Sequence, residues 1–155
     1  MSAPTPEREA LLALTTAGFD EFLSERRSAL VEFAEGLGLD DPRGIVDKPD
    51  QYLAAADAAL RGLTIADEED RSTLAVFVGY YIAEVLMQHF GGRWSIDESP
   101  DSTYFGCYVV GPFSVSESRE AFACPPSIAM RFLSEPVGRS LAKVIADIEG
   151  ELRND

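Results

Sequence analysis

Glu84 is the side chain with the clearest capacity for chemistry, because it interrupts the otherwise apolar segment from Leu74 to Met87. A carboxylate buried in such a segment must find a partner or change its pKa. A carboxyl group with a perturbed pKa can act as a general acid, a general base or a ligand-binding group. Glu84 is therefore the first candidate for a functional site.

Two interpretations of Glu84 remain open at this level. In the structural one, Arg93 or Arg131 pairs with the carboxylate, or the Trp94 indole N–H and strand amides donate to it, so that helix and sheet are joined. In the functional one, Glu84 lies in a pocket beside Trp94 and binds a ligand or a substrate. The candidate ligand site or structural junction comprises Glu84, Trp94, Arg93 and Tyr81.

The remaining reactive side chains match no catalytic or metal-binding motif. His89 is the only histidine, and it lies about 140° around a helix from Glu84, so the two do not share a face. The sequence contains no HExxH, CxxC or GxSxG, and any nucleophile would have to use His89 as its base. We predict no catalytic residues, no metal, no cofactor and no enzymatic activity. His89 is interpreted as a helix C-terminal residue that interacts with the helix dipole.

The two cysteines, Cys107 and Cys124, lie in apolar, strand-like segments. A small buried thiol packs well there, which favours reduced, structural cysteines. A disulfide stays an alternative, because neighbouring strands of a hairpin can turn two cysteines to the same face.

The charge of the chain narrows the class of partner. The 155 residues carry a formal net charge of -14, with a pI near 4.3. Nucleic acids and anionic membranes bind clustered Lys and Arg, so we expect neither as a partner, and we expect a protein with a basic surface instead. Four carboxylates fall nearly in line on the outward face of the first predicted helix, which favours either a solvated face or a docking surface. They are Glu21, Glu25, Glu32 and Glu35.

Hydrophobic periodicity predicts helices in the first half of the chain. Apolar residues at three- and four-residue spacing indicate an amphipathic helix from Phe19 to Leu37, preceded by a short helical stretch with a possible bend at Gly18. Turn-forming residues predict a loop over 39–49, and a short helix follows over 52–63. From Leu74 to Phe90 the apolar residues surround the helix, which predicts a long buried central helix rather than a membrane span.

Period-two and aromatic patterns after Gly91-Gly92 predict strands at 93–96, 103–110 and 120–124, joined by turns over 97–102 and 114–119. Two helices follow, over 127–133 and from about Gly138 to Leu152. The fold class is therefore α+β: N-terminal helices, the central helix, a three-stranded antiparallel sheet and two C-terminal helices. We expect one domain over 1–155, with an acidic helical part over 1–63 and the rest over 64–155.

The stretch Gly79-x-Tyr81-x-Ala83-Glu84, then Gly91-Gly92-x-Trp94, a Cys-Pro-Pro strand end and Glu135-Pro136 resembles the bacterial domains of unknown function grouped as DUF3806. The resemblance covers about residues 65–150, and Ala83 stands where the family usually has glycine. It implies a bacterial, soluble α+β domain and carries no reaction.

Three hypotheses follow for function. The first is a non-enzymatic protein that binds a basic partner through its acidic face, by analogy with immunity proteins and antitoxins. The second is a small-molecule-binding or enzymatic domain centred on Glu84 beside Trp94. The third is an accessory domain that works as a homodimer. The N-terminal residues have no signal-peptide pattern, so a cytoplasmic location is expected.

Overall fold

A computed structural model describes residues 5–116 and 119–153 and confirms the α+β class. It contains five α-helices and one three-stranded antiparallel sheet, with two short 3₁₀ turns after the first helix. The helices are α1 (Pro6–Gly36), α2 (Leu53–Arg61), α3 (Glu68–Phe90), α4 (Pro125–Leu133) and α5 (Leu141–Arg153), and the strands are β1 (Arg93–Ile96), β2 (Tyr108–Ser116) and β3 (Arg119–Ala123). The 3₁₀ turns span Pro42–Ile45 and Pro49–Tyr52.

The first helix is continuous, so the predicted bend at Gly18 is wrong. Thr5 caps the helix by accepting a hydrogen bond from the Arg8 amide at 3.2 Å. Gly18 instead makes room for a neighbour, because a Cβ there would lie 3.2 Å from the Tyr108 hydroxyl. That hydroxyl donates to the Thr15 carbonyl at 2.8 Å, which holds the N-terminal half of α1 against the sheet.

The central helix α3 is buried as predicted. Asp67 caps its start by accepting from the Asp70 amide at 2.8 Å, and ten of its residues between Ala75 and Leu86 are buried. By length and composition alone α3 could cross a membrane, but half of its most apolar window is buried inside the protein. Contacts with the other elements therefore account for its apolar composition.

Helices α4 and α1 and strand β2 are among the elements that cover α3. Helix α4 comes closest at Gly79, where an added Cβ would lie 3.4 Å from the Pro126 backbone. Helix α1 stacks Phe22 on Tyr80, with ring centroids 4.8 Å apart. At the C-terminal end, Phe90 packs on Phe113 of β2 with centroids 5.8 Å apart. The small residue at position 79 thus allows a close backbone approach.

The sheet has the order β1-β2-β3, a simple antiparallel meander. The predicted strand over 103–110 is wrong in its first five residues, which form turns closed by hydrogen bonds to Asp97 and Ser102. Strand β2 runs further than expected, to Ser116, so the predicted turn over 114–119 is too long. Its centre, 117–118, lies outside the described residues.

Two buried charged residues attach α5 to α2. Asp57 accepts from the Leu141 amide at 2.7 Å, which caps the N-terminus of α5. Arg139 donates to the carbonyls of Leu60 and Leu63, both at 2.9 Å, at the C-terminal end of α2. Each buried polar group is therefore matched to helix-end groups that would otherwise lack partners.

The backbone at Gly92, just before β1, lies very close to the backbone at Gly111 in β2. Both have positive φ angles, 87° and 147°. A Cβ on Gly92 would lie 2.9 Å from the Gly111 Cα, and one on Gly111 would lie 2.8 Å from the Ala121 carbonyl oxygen. Space and backbone conformation both require glycine here.

We expect Gly111→Ala to lower the free energy of unfolding by about 2–4 kcal/mol, because it adds backbone strain to a steric clash. Gly150→Ala is the matched control: it lies inside α5, a Cβ there meets nothing within 4 Å, and it should stabilise by about 0.5–1 kcal/mol. Urea unfolding followed by circular dichroism measures both. Equal effects of the two substitutions would contradict the proposed close approach.

Candidate functional site

The partner of Glu84 comes from α1 and not from the sheet. Arg26 Nε lies 2.9 Å from Glu84 Oε1, whereas the predicted partners Arg93 and Arg131 make no ion pair with it. The N–H of Arg26 is not aligned for a hydrogen bond, so the contact is electrostatic. The Glu84 side chain is 11% exposed and that of Arg26 33%, so the arginine covers the carboxylate from the solvent side.

The environment of Glu84 favours its neutral form. Burial raises the pKa of this carboxyl, and the positive charges of Arg26 and Arg27 offset only part of that effect. Asp47, which is paired to Arg27 at 3.5 Å, raises it slightly further. Desolvation therefore outweighs ion pairing at this site.

Trp94 and Arg93 do not share a pocket with Glu84. Trp94 packs edge-on against Phe22 with centroids 4.9 Å apart, and its indole N–H has no hydrogen-bond partner among the described residues. Arg93 and Trp94 line a shallow cleft of about 440 Å³ on the outside of β1. Glu84 is not among the residues that line this cleft, so the predicted pocket that would unite Glu84 with Trp94 is not found there.

Tyr81, the fourth member of the predicted site, is a core residue. Its side chain is completely buried, and its hydroxyl donates to the Pro49 carbonyl at 2.8 Å. Burial raises the pKa of Tyr81 well above its ordinary value, with a smaller effect from Asp50. The adjacent Tyr80 donates to the Phe22 carbonyl at 2.8 Å, and burial raises its pKa to about 12. Both phenols are therefore structural hydrogen-bond donors.

His89 lies between two carboxylates that were not predicted as its partners. Its Nδ1 is 2.6 Å from Glu149 Oε2 of α5, and its Nε2 is 2.7 Å from Asp50 Oδ1 of the second 3₁₀ turn. Two carboxylate acceptors require both ring nitrogens to carry hydrogen. Burial lowers the pKa of His89, but the hydrogen bonds and charges of Glu149 and Asp50 raise it more, so the net pKa is raised.

This arrangement decides what His89 can do. An imidazolium whose two N–H groups are both engaged has no free lone pair, so it cannot act as a general base or as a metal ligand in this state. The residue instead joins α3, α5 and the Pro49–Tyr52 turn. The predicted position of His89 in the last turn of α3 is correct, and the two carboxylates are its main partners.

The four carboxylates of α1 lie as the pattern predicted, on one exposed face. Glu21, Glu25, Glu32 and Glu35 are all exposed, and none forms an ion pair with another described residue. We call these four residues the acidic stripe. Arg27 lies beside its C-terminal half, where it shares a shallow cleft of about 510 Å³ with Glu32 and Glu35.

The cysteines are free and close together. Cys107 and Cys124 both line an apolar cleft of about 400 Å³ under Leu11 of α1. Burial raises the pKa of each thiol. A thiol with a raised pKa is a poor nucleophile, so these residues act mainly in packing.

A larger groove, which we call the β3 groove, lies between β3 and the helices α4 and α5. Its volume is about 610 Å³, and Ala121 to Cys124 form one wall. Arg131 and Glu151 supply its charged groups, and Phe122 is 48% exposed at its edge. In the described part of the chain, no group of three or more His, Cys, Asp or Glu residues is placed to hold a metal ion.

Comparison with protein-family models, curated proteins and solved structures found no match to this chain. The resemblance to DUF3806 therefore stays a prediction.

Sequence reasoning missed Arg26 and Glu149, although each leaves a signal. Arg26 is four residues from both Phe22 and Leu30, so it falls inside the apolar stripe of α1. Glu149 likewise follows Ile145 by four residues in α5. A charged residue at a core-facing position predicts a buried partner, and this rule would have identified both.

We expect the raised pKa of Glu84 to make the free energy of unfolding depend on pH. Because its pKa is raised in the folded state, the folded protein binds a proton more tightly, and stability falls as pH rises from about 4.5 through the raised value. Glu84→Gln should remove this fall. Urea unfolding between pH 4 and pH 8 tests it, and parallel curves for both proteins would contradict it.

Removing Arg26, the ion-pair partner of Glu84, should destabilise the folded protein. At pH 7 Arg26→Gln is expected to lower the free energy of unfolding by about 1–3 kcal/mol, because Glu84 keeps its burial and loses its compensating charge. Arg27→Gln is the control, since its partner Asp47 is exposed and such pairs contribute about 0–1 kcal/mol.

His89 should show a second pH effect at higher pH. Its stabilising contribution is fully present below its ordinary pKa of 6.5 and is lost as pH rises through the raised pKa of the folded state. Proton NMR of the imidazole should give a pKa above 6.5, and Glu149→Gln should lower it. A pKa at or below 6.5 in the wild type would show that the carboxylates do not hold the imidazolium.

Proposed function

We propose that the protein is a non-enzymatic binding protein that recognises a basic protein partner through the acidic stripe of α1. The observation that carries the proposal is the placement of Glu21, Glu25, Glu32 and Glu35 on one exposed helix face, where none of them forms an ion pair with another residue in the described part of the chain. Small acidic bacterial proteins of the immunity or antitoxin type, acting in the cytoplasm, are the class to which the proposal points.

The energetics of α1 support this proposal. Like charges four residues apart on a helix cost a few tenths of a kcal/mol per pair, so the stripe does not stabilise the helix that carries it. Cationic side chains of a partner would relieve this repulsion on binding. The attraction also raises the association rate and makes it sensitive to salt, because exposed charges are screened over about 8 Å at physiological ionic strength.

The alternative of a ligand-binding or catalytic pocket at Glu84 has less support. Its carboxylate is 11% exposed, faces Arg26, and lines none of the four clefts described above. Trp94, which that alternative requires beside it, packs against aromatic rings instead. No specific observation favours a reaction at this position.

Neutralising the stripe should abolish binding while leaving the fold intact. The quadruple variant E21Q/E25Q/E32Q/E35Q should unfold at the same temperature as the wild type or slightly higher, because repulsion is removed. Binding to poly-L-lysine, measured by interferometry, should weaken at least about tenfold, and wild-type binding should fall steeply with added salt.

A control variant with the same net charge distinguishes the effect of the acidic stripe on binding from the effect of the overall charge. E98Q/D101N/E135Q/D147N removes four exposed carboxylates from other elements and should retain binding. The same three proteins are then used to capture partners from a lysate of the native cell at low and high salt. Basic proteins captured equally by the stripe variant, or binding that does not respond to salt, would refute the proposal.

A further inference from the structure

The β3 groove runs along the edge of the sheet rather than across one of its faces. Successive residues of a strand point to opposite faces, so a cleft on one face is lined by every second residue. The β3 groove is lined by the consecutive residues Ala121, Phe122, Ala123 and Cys124. It therefore follows the backbone of β3 itself.

That backbone is open on its outer side at Phe122, which is 48% exposed, whereas Ala121 and Ala123 are buried. The sheet order is β1-β2-β3, so β3 has a strand neighbour only in β2. Over residues 5–116 and 119–153, no backbone group of Ala121, Phe122 or Ala123 bonds to anything outside the strand ladder. An edge of this kind can accept another strand, and proteins usually protect it.

The far wall of the groove has the chemistry of a side-chain binding surface. Ile128 and Arg131 lie one turn apart on α4, and Ile148 and Glu151 lie one turn apart on α5. Arg131 is exposed and has no ion pair with another described residue. A free guanidinium between apolar side chains suits one acidic group flanked by apolar ones.

We propose that the β3 groove binds an extended segment of a partner protein, which pairs with β3 as a fourth strand. Backbone hydrogen bonds to Phe122, whose neighbours Ala121 and Ala123 are buried toward the rest of the protein, would supply affinity. An acidic side chain opposite Arg131, with apolar neighbours against Ile128 and Phe122, supplies selectivity. This surface is separate from the acidic stripe and takes a partner segment of opposite charge character.

The recessed shape favours an extended segment over a second copy of this chain. A twofold dimer through β3 would have to bring two edges together, and each edge lies inside a groove walled by α4 and α5. Because both edges are recessed, the two β3 strands of such a dimer could not come close enough to pair. A single extended chain is narrow enough to enter between strand and helices.

The proposal is tested by selecting displayed linear peptides of random sequence on the full-length protein. Selected peptides should combine one acidic residue with apolar neighbours and should slow hydrogen exchange at the amide of Phe122. Methylating peptide amides one at a time should weaken binding at alternate positions, because a paired strand points every second N–H at its neighbour.

Substitution of Arg131 provides the matched control. Arg131→Gln should weaken binding of the selected peptides about three- to tenfold, and Arg93→Gln, on the opposite edge strand, should leave it unchanged. Circular dichroism confirms that both variants fold. The proposal is overturned if no peptide is selected, if binders protect other amides or show no alternation, or if wild-type β3 is already protected in a dimer.

Discussion

The structure depends on one constraint: α3 is apolar around its whole circumference and must be covered on every side. A side chain such as Ile82 or Leu86 contributes about 1.5–3 kcal/mol when it leaves water, and ten residues of α3 are buried. The other elements are arranged accordingly. Helix α1 lies on one side, α4 approaches at Gly79, and β2 closes the C-terminal end.

Polar groups inside this arrangement specify how the covering elements are positioned. Each of the adjacent phenols of Tyr80 and Tyr81 donates to one backbone carbonyl, in α1 and in the second 3₁₀ turn respectively. The carboxylate of Glu84 pairs with Arg26, which lies about one helical turn after Phe22 in α1. Sliding α1 along α3 by one turn would break the contacts of Tyr80 and Glu84 together, and a buried polar group without a partner costs about 1–3 kcal/mol. The apolar contacts supply most of the stability, and the polar contacts select one register.

The sequence predicted the elements better than their contacts. Periodicity revealed α3 and the fold class because burial on all sides leaves a local pattern in the chain. It failed over 103–107, where aromatic residues of high strand propensity are held in turns by Asp97 and by Gly106, whose φ is 78°. It also failed for the partner of Glu84, because Arg26 is 58 residues away and no local rule connects the two. His89 is similar: its position in the helix was predictable, whereas Asp50 and Glu149 reach it only through the tertiary fold.

The continuity of α1 has a geometric consequence. The helix is unbroken from Pro6 to Gly36 and rises about 1.5 Å per residue. The positions of the four carboxylates therefore span about 21 Å along the helix axis, with intervals of about 6, 10.5 and 4.5 Å. They are Glu21, Glu25, Glu32 and Glu35. Contacts of Phe22, Arg26 and Phe33 with α3 hold this part of α1 in place, and with it the spacing of the carboxylates. A second helix with cations at matching positions would meet all four charges without rearrangement. A flexible basic tail would have to lose conformational entropy to match the same spacing, so under the proposed function a rigid partner would bind more tightly than a flexible one of equal charge.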